Sequence, residues 1–181
     1  MRTFIAIEIP KDIQKKIHDF QKSLEKLDML EGNWTNQYHL TLKFLGDVSS
    51  DKLKEVEKHL SHVASKNKKF KLELKGIGAF PSKDFVRVLW LGVGNGYEEA
   101  LSLHEHVDEH LKKSGFQTSK EYENHITLCR VKKVSGKAKL KEIISNGADF
   151  GTFEVSEIKL FNSTLTPKGH VYSVLNSFKL E

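Results

Sequence analysis

A four-residue pattern that occurs twice constrains this chain more than any other feature of its sequence. His39-Leu40-Thr41-Leu42 returns 86 residues later as His125-Ile126-Thr127-Leu128. Both copies lie in runs rich in Thr, Leu, Ile and Phe, which predict β-strands, and successive side chains of a strand point to opposite faces. Each strand therefore carries an imidazole beside a hydroxyl on one face and an apolar pair for the core on the other.

The elements predicted around the motifs follow the same order in both halves of the chain. The first half reads as strand, helix, motif strand, helix and strand, over 3–9, 11–29, 34–48, 49–64 and 70–74. The second half repeats this over 85–93, 97–114, the second motif strand, 137–145 and 152–162, and a last strand covers 170–179. Breaks are expected at 32–33, 65–69, 76–81, 94–96, 132–136 and 163–169.

This order predicts an internal duplication with an offset of 84–86 residues. No stretch rich in Pro, Gly and Ser divides the halves, so we expect 1–181 to form one bilobal α+β domain. Two similar lobes about a pseudo-twofold axis would bring the motif strands together at the seam, where ligand clefts are often found.

The composition predicts a cytoplasmic protein that does not enter a membrane. Apolar residues make up 38% of the 181 residues and charged residues 29%, and no apolar run approaches the roughly 18 residues of a membrane span. The amino terminus lacks the apolar stretch of a signal peptide. The single cysteine, Cys129, excludes an internal disulfide and is compatible with a reducing compartment.

The formal net charge of +5 favours an anionic partner, although many proteins of this charge bind no nucleic acid. Of the 29 basic residues only Arg2, Arg87 and Arg130 are arginine. Arg130 follows the second motif threonine by three residues, and an arginine is a planar, bidentate ligand for phosphate. The alternative is that three arginines persist by chance.

Two histidines and two threonines are suited to phosphodiester chemistry without a metal. One imidazole can begin neutral and accept a proton while the other begins charged and donates one. The threonine hydroxyls can donate hydrogen bonds to phosphoryl oxygens. A single pattern of this kind arises often by chance, but two copies at matching positions of a duplicated chain favour the catalytic interpretation.

Two other histidines have the spacing of metal ligands. His106 and His110 lie four residues apart on the predicted third helix. The sequence there is not HExxH, no third ligand accompanies the pair, and both residues lie opposite the apolar stripe. We expect a solvated helix face, with no metal and no cofactor.

The chain resembles the two-histidine (2H) phosphoesterase superfamily, and within it the bacterial and archaeal RNA 2′,3′-cyclic phosphodiesterases, also named 2′-5′ RNA ligases. The resemblance spans nearly the whole chain, and Cys129 departs from it where members often carry a small residue such as Ala. It rests on Arg2–Ile7, Trp34, His39–Gly46, Phe80-Pro81, Val88–Trp90, His125–Leu128, Arg130, Ser163, Pro167, Gly169 and Tyr172.

The resemblance implies a bilobal α+β fold of antiparallel sheets and helices, with both motifs in a central cleft. It implies hydrolysis of an RNA terminal 2′,3′-cyclic phosphate to a 2′-phosphomonoester. It also assigns roles: His39 is the proton donor, His125 is the proton acceptor, and Thr41 and Thr127 bind phosphoryl oxygens. The near symmetry of the motifs leaves this order of the histidines open from the residues alone.

Alternation along the strands places the flanking residues. Lys43 would share the face of His39 and Thr41 and bring charge to the cleft, or else be solvated. Arg130 would point away from His125 unless the strand ends or bulges after Leu128, although the resemblance favours a phosphate contact. Three aromatic residues could stack on a base, with core positions as the alternative for the first two: Trp34, Phe44 and Tyr122.

Two rival functions remain open at this stage. The same two histidines could run the reaction in reverse and form a 2′-5′ linkage, although water favours hydrolysis. A module that binds RNA ends or nucleotides without catalysis would be favoured if either histidine were replaced, and neither is. The expected partner is the 3′ end of an RNA, such as a tRNA fragment. The expected oligomeric state is a monomer, because the duplication supplies both halves of the site.

Overall fold

The computed structural model describes residues 1–167 and 169–181. Within those residues the chain forms helices and antiparallel sheets, so the predicted α+β class is confirmed. In chain order the elements are β1 (Arg2–Glu8), α1 (Lys11–Glu25), β2 (Leu30–Trp34), β3 (His39–Asp47), α2 (Ser50–Ala64), β4 (Phe70–Pro81), β5 (Val86–Val93), α3 (Tyr97–Lys112), β6 (Ile126–Val134), α4 (Lys137–Asn146), β7 (Asp149–Val155), β8 (Glu157–Thr166) and β9 (Gly169–Lys179).

The strands form two sheets that exchange a strand between the halves of the chain. The first sheet has the order β3-β1-β8-β9 and the second has the order β2-β6-β5-β4-β7. Each motif strand lies beside the first strand of its own half, β3 beside β1 and β6 beside β5. On their other sides, however, β1 and β5 pair with β8 and β4, which come from the opposite half. The two similar lobes are therefore interwoven.

One continuous apolar core lies between the sheets and the helices. Helices α2 and α3 contact the first sheet, and α1 and α4 contact the second. Their buried stripes have helical spacing, as in Ile13, Ile17 and Leu24 of α1. A separate small cluster of Phe4, Ala6 and Phe161 occupies the other face of the first sheet, where Tyr172 packs against it. His39 lies on that face, with its ring beside those of Phe4 and Tyr172.

The expected break at 32–33 is wrong, because these residues belong to β2, which pairs with β6. A Cβ on Gly32 would lie 2.5 Å from the carbonyl oxygen of Arg130 and 2.6 Å from Sγ of Cys129. Glycine is therefore required by the close approach of two strands, which a sequence pattern reports as a turn. The expected break at 132–136 is also shorter, since β6 continues to Val134.

The expected turn at 76–81 is likewise part of a strand, since β4 runs from Phe70 to Pro81. The indole of Trp90 covers Gly78 and occupies the space that a Cβ at this position would need. The predicted strand 152–162 is divided at Ser156 into β7 of the second sheet and β8 of the first. The chain thus passes from one lobe to the other within a stretch whose local pattern reads as one strand.

The remaining differences are at element ends. Helix α1 ends at Glu25 rather than 29, and Leu27, expected on its inward stripe, is 47% exposed. Strands β8 and β9 extend into the connection expected at 163–169 and pair up to Thr166 opposite Gly169, and Lys168 lies outside the described residues. Over the described residues, no helix has both the length and the apolar character needed to cross a membrane.

Candidate active site

The two motifs present the same chemistry on one face of each strand, as predicted. The two histidines and two threonines are half-buried, and His125 comes directly before β6. The apolar members lie in the core with at most 1% of their surface exposed: Leu40, Leu42, Ile126 and Leu128. We call the four polar side chains, His39, Thr41, His125 and Thr127, the motif surface.

A β-bulge interrupts the alternation of the first motif strand. Thr41 lies opposite Ala6 of β1, but Lys43 lies opposite Ile5, so Leu42 is an extra residue in the ladder. Such an insertion reverses which face the following residues occupy. Beyond Leu42, it is Phe44 rather than Lys43 that lies on the side of Thr41, opposite Phe4.

The second motif strand has a bulge at the equivalent residue. Thr127 lies opposite Trp90 and Cys129 opposite Leu89, so Leu128 is the extra residue. Arg130 then pairs with Val88 on the side of Thr127. Its charge acts on both His125 and Tyr172. The sequence predicted a role for Arg130 only if the strand ended or bulged after Leu128. The bulge lies at Leu128 itself, and it brings Arg130 to the side of Thr127.

The prediction that Lys43 brings charge to the motif surface is wrong, and so is its alternative, a solvated lysine. The bulge turns Lys43 into the interior, where 5% of its surface is exposed. Its ammonium forms an ion pair with Asp108 of α3 and donates to the carbonyl oxygen of Gln117 at 2.7 Å. Asp108 also accepts hydrogen bonds from the backbone N–H and hydroxyl of Ser119.

The same bulge explains the position of Phe44, for which a core position was the favoured alternative. Phe44 is 69% exposed, and its ring centroid lies 5.9 Å from that of Phe4 beside the motif surface. The offset of 86 residues makes Phe44 the counterpart of Arg130, and Lys43 the counterpart of the buried Cys129. The first lobe therefore presents an aromatic ring where the second presents a guanidinium.

His39 lies in an aromatic surrounding. Its ring centroid is 4.8 Å from that of Phe4 and 5.1 Å from that of Tyr172. Burial lowers the pKa of His39 to about 4, a hydrogen bond to the backbone of Gln37 opposes this shift, and the charge of His125 adds to it. A positive charge on His125 therefore disfavours the imidazolium of His39.

His125 has a corresponding environment in the second lobe. Its ring lies 5.0 Å from that of Phe80 and 6.1 Å from that of Trp90, and Nδ1 donates to the carbonyl oxygen of Glu123 at 2.8 Å. Burial lowers the pKa of His125, the contacts with Glu123 oppose this, and Arg130 lowers it further. With the proton held at Nδ1, Nε2 of the neutral ring is a free base.

Hydrogen bonds satisfy carbonyl groups at both bulges, and two of them join the first half of the chain to the second. The backbone N–H of Thr35, just upstream of the first motif, donates to the carbonyl oxygen of Leu128 at 2.9 Å. The hydroxyl of Tyr122, just upstream of the second motif, donates to that of Thr41 at 3.1 Å. His104 of α3 donates from Nδ1 to the carbonyl oxygen of Leu42 at 2.7 Å.

The other aromatic candidates have structural contacts. Tyr122 stacks on His104 with ring centroids 3.5 Å apart, so one face of its ring is covered. Trp34 lies on β2 opposite Cys129 and packs against the core. Among the described residues, Phe44 is thus the candidate with a largely exposed ring.

The candidate metal ligands on α3 are engaged with protein groups. Nδ1 of His106 lies 2.8 Å from Oδ1 of Asn67, and Nδ1 of His110 lies 2.9 Å from the carbonyl oxygen of His106. Over residues 1–167 and 169–181 no group of three or more possible protein ligands has the geometry of a metal site. The motif surface itself supplies two imidazoles, two hydroxyls and a nearby guanidinium.

Comparison with known proteins identifies relatives along the whole chain. The family model described as LigT like Phosphoesterase matches twice, over residues 7–90 and 91–172. A Methanocaldococcus jannaschii protein named RNA 2′,3′-cyclic phosphodiesterase is 38% identical, covering 98% of this chain and 100% of its own. A protein of the same name from Archaeoglobus fulgidus is 35% identical over 99% of this chain and 100% of its own.

Solved structures show the same fold. A crystal structure of a Thermus thermophilus protein has a TM-score of 0.80 and 26% identity, covering 99% of this chain and 98% of that one. The apo crystal structure of E. coli LigT has a TM-score of 0.79 and 24% identity, covering 99% and 96% of the two chains.

Sequence reasoning missed His104 and Asp108, which support the site from α3. Both are buried polar residues on a helix face otherwise formed by Ala100, Val107 and Leu111. His104 and Asp108 follow Ala100 at intervals of four, so polar residues within an apolar stripe were the available signal. A buried polar group needs a partner, and here the partners are the bulge carbonyl of Leu42 and the ammonium of Lys43.

We expect Lys43→Met to lower the free energy of unfolding by about 3–5 kcal/mol, because it leaves the Asp108 carboxylate buried without its cation. Urea denaturation would measure this. The control is the double variant Lys43→Met/Asp108→Asn, which removes the unpaired charge and should recover part of the loss. If the loss in the double variant equalled the sum of the losses in Lys43→Met and in Asp108→Asn alone, the ion pair would contribute no coupling energy.

We expect Arg130→Met to raise the pKa of His125 toward the ordinary histidine value, because it removes a positive charge that disfavours the imidazolium. At pH values between the pKa of His125 in the wild type and its higher pKa in the variant, the variant therefore has less neutral His125. An NMR titration of the ring measures the shift, and Arg87→Met serves as the matched control. An unchanged titration of His125 in Arg130→Met would contradict the electrostatic contact.

Proposed function

The chain belongs to the LigT-like phosphoesterase family, and on that basis we propose that it hydrolyses the terminal 2′,3′-cyclic phosphate of RNA to a 2′-phosphomonoester. Relatives with 35–38% identity along nearly its whole length are named RNA 2′,3′-cyclic phosphodiesterase. The observation that carries the proposal is that each motif carries a histidine and a threonine, and that hydrogen bonds from Thr35 to Leu128 and from Tyr122 to Thr41 hold the two motifs together.

In the proposed reaction, His125 accepts a proton from water as the water oxygen attacks phosphorus. The bond from phosphorus to the 3′ oxygen breaks, and His39 donates a proton to that oxygen. The phosphate stays on the 2′ oxygen and the 3′ position becomes a hydroxyl. The hydrogen bond from Nδ1 of His125 to Glu123 supports the role of base, because it leaves Nε2 free to take the proton.

Phosphoryl oxygens have donors on both lobes in this proposal. Thr41 shares the face of His39, and Thr127 pairs with Trp90, whose ring lies beside His125. The hydroxyls of both threonines are suited to neutral hydrogen bonds. Arg130 supplies a charged and bidentate donor. Together these groups offset the charge that develops on the phosphoryl oxygens, so acid, base and anion stabilisation all come from protein side chains without a metal or cofactor.

Proton donation by His39 depends on the substrate. With a pKa of about 4 the ring is neutral at pH 7 in the free protein. A phosphate anion beside the ring favours the imidazolium and raises its pKa. In this proposal, substrate binding favours the charged form of His39 that the reaction needs.

The finer parts of the proposal concern organisation and context. We infer one bilobal domain over 1–181 that arose by duplication, and the two family matches, which begin 84 residues apart, support it. We further propose a cytoplasmic monomer that acts on RNA 3′ ends such as tRNA fragments. Ligation to a 2′-5′ linkage is the reverse of the same step and would be detected in the same assay.

We expect a terminal 2′,3′-cyclic phosphate on RNA to be converted to a 2′-phosphate in the presence of a chelator. His39→Ala and His125→Ala should each lower kcat at least about a hundredfold, the loss typical of a missing general acid or base. His106→Ala, a histidine on the outer face of α3, is the matched control and should retain the wild-type rate.

An inert wild type that still binds the RNA would favour the non-catalytic binding module. A full rate in either motif variant would remove that histidine from the acid–base pair. A 3′-phosphate product would show that the other ester bond breaks, and the proposed proton path to the 3′ oxygen would then be wrong.

We also expect the pH profile of kcat/KM to be displaced to lower pH than that of kcat. The first reports ionisations of the free protein, in which both histidine pKa values are lowered, and the second reports the complex, in which bound phosphate raises them. Steady-state rates across pH 4 to 9 would measure both. Coincident profiles would show that substrate binding does not shift the protonation of the motif histidines.

A further inference from the structure

A second group of charged side chains lies outside the motif surface and lines a pocket of about 200 Å³. It is formed by the connection from β4 to β5, the distal end of β6 and the first turns of α4. Six of its lining residues are cations, and we call the site the basic pocket: Lys83, Arg87, Lys132, Lys133, Lys137 and Lys141.

The charge of the basic pocket is large relative to the whole protein. Its six cations are accompanied by one lining carboxylate, that of Asp84. Six positive charges and one negative charge give the pocket a formal net charge of +5, which equals that of the entire chain. The rest of the protein is therefore neutral on balance, and its excess positive charge is concentrated in one place.

Most of these cations lack an acidic partner. Lys141 forms an ion pair with Asp84, and Lys133 lies 3.6 Å from the carboxylate of Glu31. Among the described residues, Lys83, Arg87, Lys132 and Lys137 form no ion pair. All four side chains are exposed, so water and salt screen their repulsion and they remain available to an anionic ligand.

An exposed aromatic ring lies among the cations. Phe85 is 57% exposed and lines the pocket, and the guanidinium of Arg87 lies 4.9 Å from its ring centroid. Proteins that bind single-stranded nucleic acid combine a basic groove for the backbone with aromatic rings on which bases stack. The basic pocket has both components.

The pocket is connected to the motif surface through β6. Lys132 follows Arg130 by two residues, which corresponds to about 7 Å along a strand. Arg87 adjoins Val88, the cross-strand partner of Arg130. The cations of the pocket therefore begin within a few residues of Arg130, on β6 and on its neighbour β5.

We propose that the basic pocket binds the RNA chain upstream of the terminal cyclic phosphate, with phosphates against its lysines and a base on Phe85. This inference rests on the proposed function and deepens it, because it makes an oligonucleotide, rather than a cyclic mononucleotide, the preferred substrate. An acidic protein or an anionic membrane would also be attracted by the charge. RNA is favoured because the pocket adjoins the motif surface and carries a stacking ring.

The test compares long and short ligands in a charge-reversal variant. Lys132→Glu/Lys137→Glu reverses two exposed cations, and the second change places an acidic residue in the first turn of α4, where it favours the helix. Lys58→Glu/Lys112→Glu reverses two exposed lysines on α2 and α3 and is the matched control. The probes are 2′,3′-cyclic AMP and an RNA of about ten nucleotides with a 2′,3′-cyclic phosphate.

We expect the pocket variant to lose at least about tenfold in kcat/KM on the oligonucleotide. Turnover of 2′,3′-cyclic AMP should stay within about twofold of wild type, because this ligand lacks the upstream phosphates that would reach the pocket. The control variant should match wild type on both ligands. Equal losses on both ligands, or an equal loss in the control variant, would overturn the proposal.

Direct binding keeps the proposal testable apart from catalysis. Fluorescence anisotropy with the same RNA carrying a plain 3′-hydroxyl measures affinity and its salt dependence without turnover. Two lost phosphate contacts should reduce the slope of log K against log salt by about 1.4, and Phe85→Ala should weaken binding at least about fivefold. Unchanged affinity in both variants would overturn the pocket even if hydrolysis is found, and weakened affinity would support it even if the wild type is inert.

Discussion

One extra residue in each motif strand determines which side chains reach the motif surface. A strand without Leu42 as a bulge would direct Lys43 to the histidines and Phe44 to the core, and the opposite arrangement is observed. The bulge at Leu128 brings Arg130 to the side of Thr127 by the same reversal. Because alternation has a period of two, a single inserted residue exchanges the two faces for everything that follows.

Both bulges receive hydrogen bonds at their carbonyl groups from elsewhere in the chain. The support comes from His104 and Tyr122 at the first bulge and from Thr35 at the second. Tyr122 and Thr35 each precede one motif and bond the other, so the position of each motif depends on the opposite half of the chain. The exchange of β4 and β8 between the sheets strengthens the same dependence.

The sequence predicted the parts of the fold that local periodicity encodes. The helices, the two motif strands and the buried apolar pairs follow from spacing alone, and the α+β class follows from their order. Strand exchange and bulge register depend on partners distant in the chain, so Ser156 and Leu42 carry no local sign of them. The turns predicted at Gly32 and Gly78 are wrong. These residues lie in strands, and they are glycine because a neighbouring strand and the indole of Trp90 leave no room for a side chain.

Phe44 and Arg130 occupy equivalent positions in the two halves of the chain but differ in chemistry. The side chains of the site are therefore asymmetric where its backbone is similar. The axis relates two strands, two bulges and two imidazoles, yet it exchanges an exposed aromatic ring with a guanidinium. A ligand with a flat base at one end and an anion at the other would therefore prefer one of its two possible orientations. The difference between Phe44 and Arg130 therefore gives the two ends of the motif surface different ligand preferences.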